Sequence, residues 1–121
     1  MNEYAEKYAT SVQFIFVYIL EAHANDEWRV DSINTEVSQH KNLSDRADAA
    51  QKFIEKFPLH KNICLVLDNE QNEFNTLCSS WPFRYWILNS DNTLRAKMMI
   101  KNVDDVDLDA LNGFLLTVKK E

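Results

Sequence analysis

Three side chains that can carry protons lie close together at the end of an apolar run. Tyr18 belongs to the run Phe14–Leu20, and Glu21 and His23 follow the run directly. Free imidazole titrates near pH ~6.5, and a neighbouring carboxylate favours its protonated form, so His23 beside Glu21 is suited to donate a proton near neutrality. Such a donor is suited to general acid catalysis. The plainer alternatives are a hydrogen-bonding loop histidine, a solvated carboxylate and a core tyrosine.

The elements that must position these residues can be predicted from the same region. The apolar run is rich in β-branched and aromatic residues, which predicts a strand over 13–20 that is covered on both faces. Open α/β sheets bind ligands just beyond the carboxyl ends of their strands. Residues 21–41 carry no clear period and form a long loop, which is usually functional in a compact domain.

The rest of the chain alternates helices and strands. Asn42 is a plausible N-cap for a helix over 43–57, and the Asn and Asp residues of 89–92 suit a tight antiparallel turn. Helical spacing predicts which apolar side chains face inward: Leu43, Ala47, Ala50, Ile54 and Phe57 in the helix over 43–57, Phe74, Leu77 and Cys78 in the next helix, and Leu108, Leu111, Leu115 and Val118 in the last. The remaining predicted elements are helices over 3–11, 69–79 and 107–119 and strands over 62–67, 84–88 and 93–100.

This order predicts the α/β class, as a single domain over residues 1–121. A strand, a helix and a second strand, followed by a short helix and an antiparallel hairpin after Pro82, make up most of a thioredoxin-like three-layer α/β/α domain. We expect a mixed sheet of about four strands that lacks the first strand of that fold. The redox-active residue of such domains lies at the N-terminus of the first helix, where the helix dipole stabilises a thiolate. We expect this chain to begin after that point.

Composition excludes several classes of function. The 121 residues carry 19 acidic and 13 scattered basic residues, a net charge of −6, which argues against a nucleic-acid partner. No apolar stretch reaches the roughly 20 residues of a membrane span, so the chain as given is predicted to be cytoplasmic. Cys64 and Cys78 are too few for a disulfide framework or a zinc site, and no metal or bound cofactor is expected. Cys64 is predicted to be a small buried hydrophobe.

Two sequence motifs and the spacing of one proline and one arginine indicate a known family. The segment 17–28 contains Tyr-Ile, Glu-Ala-His, Asp and Trp in register, the segment 40–46 reads His-Lys-Asn-Leu-Ser-Asp-Arg, and Arg84 follows Pro82 by two residues. Together they resemble the iodothyronine deiodinases, although Glu27 replaces a family glycine. The resemblance covers residues 7–88, and beyond Ser90 it is only topological.

The resemblance implies a function and a set of site residues. Deiodinases are thioredoxin-fold selenoenzymes that reductively remove iodine from thyroid hormones, with a thiol reductant as cosubstrate. The resemblance implies that Glu21, His23 and Tyr18 act in catalysis. It also implies that Arg84 and His23 clamp the two ends of a halogenated aromatic substrate, and that Pro82 is cis. The catalytic selenocysteine or cysteine would precede Glu21 by about thirty residues, so we expect it to be absent from this chain. Further substrate contacts are expected from Trp28, His40 and Pro82.

Other properties stay open at this stage. Family members are dimeric and are often anchored to membranes by an N-terminal segment, which leaves a homodimer open here. The alternative function is a non-catalytic thioredoxin-like domain that binds an aromatic ligand or a protein partner. A third is a thioredoxin-fold protein that processes another substrate. Trp28, Trp81 and Trp86 could wall an aromatic pocket or could equally belong to the core.

Overall fold

The computed structural model describes residues 1–31, 36–98 and 108–118, and over these residues the chain is of mixed α/β type. The chain divides into two compact units, Met1–Pro82 and Phe83–Glu121. The single domain expected from the sequence stays a prediction. The elements, in chain order, are α1 Asn2–Lys7, β1 Phe14–Tyr18, α2 Leu43–Lys56, β2 Ile63–Leu67, α3 Glu73–Cys78, β3 Tyr85–Leu88, β4 Leu94–Met98 and α4 Leu108–Val118.

The first unit is built on a parallel strand pair. β1 and β2 run in register from Phe14 opposite Ile63 to Tyr18 opposite Leu67, with α2 as the crossover. One further hydrogen bond, from Asp68 N to Tyr18 O at 2.9 Å, extends the pairing past the strand ends. Both strands therefore end at the same edge of the sheet. The polar residues that follow β1 lie just beyond this edge, where open α/β sheets bind ligands.

At the end of the sheet where β1 and β2 begin, hydrogen bonds connect the sheet to α1. Ala5 and Tyr8 are fully buried. The side-chain amide of Asn62, just before β2, donates to Ala5 O at 3.3 Å and to Val12 O at 3.0 Å. Because this amide satisfies two backbone carbonyls at once, it fixes the entry of both strands.

Helix α2 begins where the sequence predicted, but it buries a different face. The Asn42 side chain accepts a hydrogen bond from Asp45 N at 2.8 Å, which confirms the N-cap. The buried residues are Arg46, Ala49 and Ala50, whereas Leu43 is 44% exposed and Phe57 is 55% exposed. Of the predicted inward residues, Ala50 is buried and Ile54 is half-buried, whereas the prediction was wrong for Leu43, Ala47 and Phe57.

Helix α3 begins at Glu73, later than predicted, and the side chain of Asp68 caps its first turn. Asp68 is buried, and its carboxylate accepts hydrogen bonds from Phe74 N at 3.0 Å and Asn75 N at 2.9 Å. These are backbone N–H groups of the first helical turn, which have no partner within the helix. Leu77 was predicted to face inward but is 86% exposed.

One face of the β1–β2 sheet is open to solvent. Ile15 is 58% exposed, Val66 is 39% exposed and Cys64 is also exposed. These residues alternate with Phe14 and Ile63, which are buried on the other face. The expectations that β1 is covered on both faces and that Cys64 is buried were both wrong.

The second unit contains an antiparallel hairpin and α4. β3 and β4 pair from Tyr85 opposite Met98, with an irregularity in register at Ile87/Leu88. The turn between them is closed by a hydrogen bond from Asn89 N to Thr93 O at 2.9 Å. In α4, the predicted inward residues Leu111 and Leu115 are buried at 5% and 4% exposure and Val118 is half-buried. The side chain of Leu108, residues 99–100 of the predicted strand, and residues 107 and 119 lie outside the described residues.

The α/β class is confirmed. Strand pairing in the described ranges forms two sheets of two strands each, β1–β2 and β3–β4, so the mixed sheet of about four strands and the three-layer arrangement stay predictions. Among the same residues no helix is long and apolar enough to cross a membrane.

Candidate active site

The centre of the candidate site is a hydrogen bond between Tyr18 and Glu21. Tyr18 is the last residue of β1, and its hydroxyl donates to Glu21 Oε1. The two are three positions apart, so the chain bends at the strand end to bring their side chains together. Burial, followed by the hydrogen bond and the charge of Glu21, raises the pKa of Tyr18 well above its ordinary value. Tyr18 is thus a neutral hydroxyl donor to this carboxylate across the physiological pH range.

Gln39 holds the backbone of Glu21 in place. Glu21 N donates to Gln39 Oε1 at 3.1 Å, and Gln39 Nε2 donates to Glu21 O at 3.0 Å. Gln39 N in turn donates to Asp26 Oδ1 at 2.8 Å, and Asn25 N donates to Val37 O at 3.0 Å. The two described arms of the long loop therefore bond to each other. This bonding explains how a segment without helix or strand can position a carboxylate.

His40 approaches the same carboxylate oxygen from the second arm of the loop. Its side chain is 1% exposed, and its Nε2 lies 3.6 Å from Glu21 Oε1, just beyond hydrogen-bond distance. Its ring lies 5.6 Å from the ring of Tyr18. Burial, as the largest cause, lowers the pKa of His40, and the nearby Arg46 charge acts in the same direction, while Glu21 and Asp45 oppose it.

Arg46 connects His40 to the segment 68–72 between β2 and α3. It is 3% exposed, and its Nε donates to His40 Nδ1 at 3.3 Å. Its Nη1 donates to Asp68 O at 2.8 Å and to Asn69 O at 2.6 Å, and its Nη2 donates to Asn72 Oδ1 at 2.7 Å. The guanidinium is buried among oxygens and one ring nitrogen, which accept from four of its five N–H donors without a carboxylate partner.

His23 lies in an aromatic cluster rather than beside Glu21. Its Nδ1 is 3.1 Å from Trp28 O, and its ring packs edge-on against Trp28 with centroids 5.0 Å apart. Trp28 is 68% exposed and stacks on Trp81 at 6.0 Å. Because a carbonyl can only accept, His23 Nδ1 carries a proton. This cluster offers two exposed indole rings to an aromatic ligand.

Pro82 is the last residue of the first unit, and Arg84 lies at the start of the second unit. The Trp81–Pro82 peptide bond is cis, as the resemblance implied. Arg84 Nη1 donates to Phe83 O at 2.8 Å, and its Nε is buried without a hydrogen-bond partner among the described residues. The clamp between Arg84 and His23 stays a prediction, since it would join the two units. Trp86 lies in β3 under Lys97, whose Nζ is 4.5 Å from the ring centroid.

The structure thus rearranges the predicted relay. It joins Tyr18 to Glu21, but within the described part of the chain no hydrogen bond or ion pair links Glu21 to His23. Of the two histidines, His40 is the one whose ring approaches the Glu21 carboxylate, at 3.6 Å. Sequence reasoning missed Gln39 and Arg46. Arg46 could have been found, because it shares helical spacing with the buried Ala49 and Ala50.

Neither of two open clefts elsewhere involves these residues. A cleft of about 550 Å³ is lined by residues 9–13 with Lys61, Asn62 and Cys64, and one of about 450 Å³ by residues 1–3 with Phe16 and 57–59. Cys64 pairs with Ile15 near the start of β1, away from Tyr18 at its end. In residues 1–31, 36–98 and 108–118, no cluster of three or more His, Cys, Asp or Glu could hold a metal ion.

The chain is similar in sequence to a known protein family over most of its length. A family model described as iodothyronine deiodinase matches residues 1–98. The chain is 37% identical over 73 residues to a human type II iodothyronine deiodinase, covering 58% of this chain and 27% of that protein. It is 36% identical over 77 residues to the type II enzyme of Mus musculus, covering 61% and 29%. Against a type I iodothyronine deiodinase of Xenopus laevis it is 32% identical over 87 residues, covering 72% and 33%.

These relatives are much longer than the aligned segment. The chain spans about a third or less of the length of the curated relatives it matches. The family match nevertheless covers most of the chain, including Tyr18, Glu21, His23, His40 and Arg84. The chain therefore belongs to the iodothyronine deiodinase family.

Proposed function

We propose that this chain forms the proton-handling and substrate-binding part of a deiodinase-like thiol or selenol oxidoreductase. The substrate would be an iodinated phenol of the thyroxine type. The observation that carries the proposal is the hydrogen bond from Tyr18 to Glu21 at the carboxyl end of β1. A carboxylate with a half-buried hydroxyl donor, at a strand end in a member of this family, is suited to pass protons to a reacting substrate.

The reaction requires a nucleophile that is not among the residues assigned here. A selenolate or thiolate gives an electron pair to iodine, and the pair of the broken C–I bond stays on the ring carbon. The carbon takes a proton, and the nucleophile is left bonded to iodine. A thiol reductant then releases iodide and restores the nucleophile, and the reductant is oxidised to a disulfide. The role proposed for this chain is the delivery of the proton.

Two groups at the site could supply that proton. His23 keeps a proton on Nδ1 for Trp28 O, so it can donate from Nε2 only as the imidazolium. Tyr18 and Glu21 form the second route, with Glu21 as the group that exchanges protons with solvent. We propose substrate contact for His23, Trp28, Arg84 and Pro82. His40, whose side chain is 1% exposed, would act on the substrate through Glu21.

The aromatic cluster provides a direct test. Thyroxine should bind to the 121-residue chain, and Trp28→Leu should weaken the binding about three- to tenfold, because an aromatic pair contributes ~0.5–1.5 kcal/mol beyond buried area. Phe57→Leu is the matched control, because Phe57 is similarly exposed but follows the far end of α2. Calorimetry of both variants gives the comparison. Absence of binding up to high micromolar thyroxine would remove this proposal.

A second candidate function is a binding domain without chemistry. It is favoured because Cys64 lies away from the candidate site. Cys64 lines a separate cleft near the start of β1 and β2, so its thiol is not positioned to act on a substrate beside Tyr18 and Glu21. Such a domain would bind an aromatic ligand or a protein partner through Trp28 and Trp81. Iodine selectivity separates the two functions: equal affinity for thyroxine and for iodine-free thyronine would favour the binding domain.

We also infer that the two strand pairs belong to one thioredoxin-like sheet. The element order, with a β–α–β crossover, a short helix, a cis Pro82 and an antiparallel hairpin, supports this architecture. Measured distances between labels on β1 and β3, by double electron–electron resonance, would test the arrangement.

A further inference from the structure

The contact between Arg46 and His40 restricts where the proton of His40 can lie. Arg46 Nε is 3.3 Å from His40 Nδ1. A guanidinium has only donors and stays protonated in proteins, so the partner nitrogen must accept. Nδ1 of His40 therefore carries no proton, and a neutral His40 holds its single proton on Nε2.

The second nitrogen of His40 faces the candidate active site. Nε2 is buried, and within the described ranges it has no hydrogen-bond partner at the distances found. The nearest acceptor is Glu21 Oε1 at 3.6 Å, the oxygen that also accepts from the Tyr18 hydroxyl. A shift of about half an ångström would bring Nε2 within the usual hydrogen-bond range.

We propose that Arg46 is a positioning residue of this site, which holds His40 as the neutral Nε2–H tautomer and so directs a second donor at Glu21 Oε1. Tyr18 and His40 then converge on one carboxylate oxygen. The two histidines of the site have opposite tautomers, because His23 carries its proton on Nδ1. The idea deepens the proposed function and rests on it for the purpose of the carboxylate, although the tautomer itself is independent of any substrate.

Arginine is required here by geometry as well as by charge. Its planar fork reaches His40 with Nε while Nη1 and Nη2 bind oxygens of Asp68, Asn69 and Asn72. These three acceptors follow β2 and lead into α3, so they anchor the guanidinium in one orientation. A lysine ammonium at this position is a point charge and cannot hold all four contacts.

Other charged groups around His40 act on its charge rather than on its tautomer. Glu21 in the loop after β1 and Asp45 in α2 favour the cation, whereas Arg46 disfavours it. Tyr18 of β1 presents a neutral ring and hydroxyl. Burial has the largest effect and keeps the pKa of His40 below its ordinary value. His40 is therefore a hydrogen-bond donor at neutral pH and not an acid.

Long-range ¹H–¹⁵N correlation spectra of the histidine rings test the assignment on the wild-type chain. Near pH 7.5, His40 should show an unprotonated Nδ1 and a protonated Nε2, with His40→Gln giving the resonance assignment. A protonated Nδ1, or a doubly protonated ring, would overturn the proposal without any further variant.

Two variants identify which neighbour sets the tautomer. Glu21→Gln keeps Arg46 and should leave the His40 tautomer unchanged, whereas Arg46→Lys keeps the positive charge and should produce a mixture of both tautomers. If Arg46→Lys retains pure Nε2–H and Glu21→Gln loses it, Glu21 sets the tautomer and the proposal fails. If Arg46→Lys does not fold, loss of the tautomer in Glu21→Gln still refutes it. Failure to bind an iodinated phenol would refute the proposed function and leave these spectra unaffected.

Discussion

Replacing Arg46 with methionine tests how much the first unit depends on one buried guanidinium. The side chain is 3% exposed and donates four hydrogen bonds. Methionine has a similar length and fills the space, but it has no donor. The acceptors of Arg46 would then have to find other partners or stay unpaired.

The loss in free energy of unfolding depends on which acceptors of Arg46 water can reach. Asn69 and Asn72 are half-buried, so water can replace the guanidinium at both. The carbonyl of buried Asp68 and Nδ1 of buried His40 would be left unpaired. An unpaired buried polar group costs ~1–3 kcal/mol, so two of them cost roughly 2–6 kcal/mol. We expect the free energy of unfolding to fall by about 3 kcal/mol, since methionine also avoids burying a charge.

Urea unfolding followed by circular dichroism measures this change. The matched control is Arg29→Met, because Arg29 is 67% exposed and its ion pair with Asp31 is in water, where such pairs contribute little. Arg29→Met should leave the midpoint unchanged at the same slope. A loss below about 1 kcal/mol for Arg46→Met would show that water or neighbouring side chains reach the buried acceptors, which would refute this reasoning.

Three further predictions concern single groups. The pKa of His40 is lowered in the folded chain, so protons bind more tightly to the unfolded chain. The free energy of unfolding should therefore fall as pH drops from about 6.5 through the folded pKa, by at most ~1.4 kcal/mol per pH unit, and His40→Gln should abolish this part of the dependence in urea titrations. Burial and Glu21 raise the pKa of Tyr18, so its contribution to stability is complete below pH ~10 and is lost at higher pH. Ultraviolet titration of Tyr18→Phe should lose the phenol that ionises last, and loss of an earlier one would contradict the assignment. Asn42→Ala removes the α2 cap and should cost ~1 kcal/mol in thermal unfolding, whereas an unchanged midpoint would mean that Asn42 does not stabilise α2.

The order of elements could be predicted from sequence because it depends on local patterns. The apolar runs at Phe14–Tyr18 and Ile63–Leu67, and the cap at Asn42, predict β1, β2 and the start of α2. These signals need no knowledge of which residues meet in space. Element boundaries shifted by a few residues where side chains bond to the backbone, as Asp68 does at α3.

Burial was harder to predict because it depends on which faces meet. Helical periodicity favoured Leu43, Ala50 and Phe57 as inward residues. The helix does bury Ala50, but it buries it with Arg46 and Ala49, while Leu43 and Phe57 are exposed. A hydrophobicity pattern treats arginine as a surface residue, and only the carbonyl oxygens around Arg46 make its burial possible. Cys64 was misplaced for a related reason, since strand composition does not reveal that one face of the sheet is open.

The candidate site was predicted in its residue types and only partly in its contacts. Tyr18 and Glu21 are three residues apart, and the turn at the strand end brings them together as expected. Glu21 and His23 are nearer in sequence, yet the loop turns His23 toward Trp28. His40 reaches Glu21 from 19 positions away because Gln39 ties the loop arms together. Such a tertiary contact leaves no local pattern in the sequence.

One titration tests most directly whether this site binds iodinated phenols. Two-dimensional ¹H–¹⁵N spectra of the chain, titrated with 3,5-diiodotyrosine and separately with tyrosine, report the ligand at each amide and indole. We predict saturable shifts at the indoles of Trp28 and Trp81 and at the amide of Glu21 with the iodinated ligand, and much weaker binding of tyrosine. Equal shifts with both ligands, or no saturable shifts at these three groups, would contradict a deiodinase-like site.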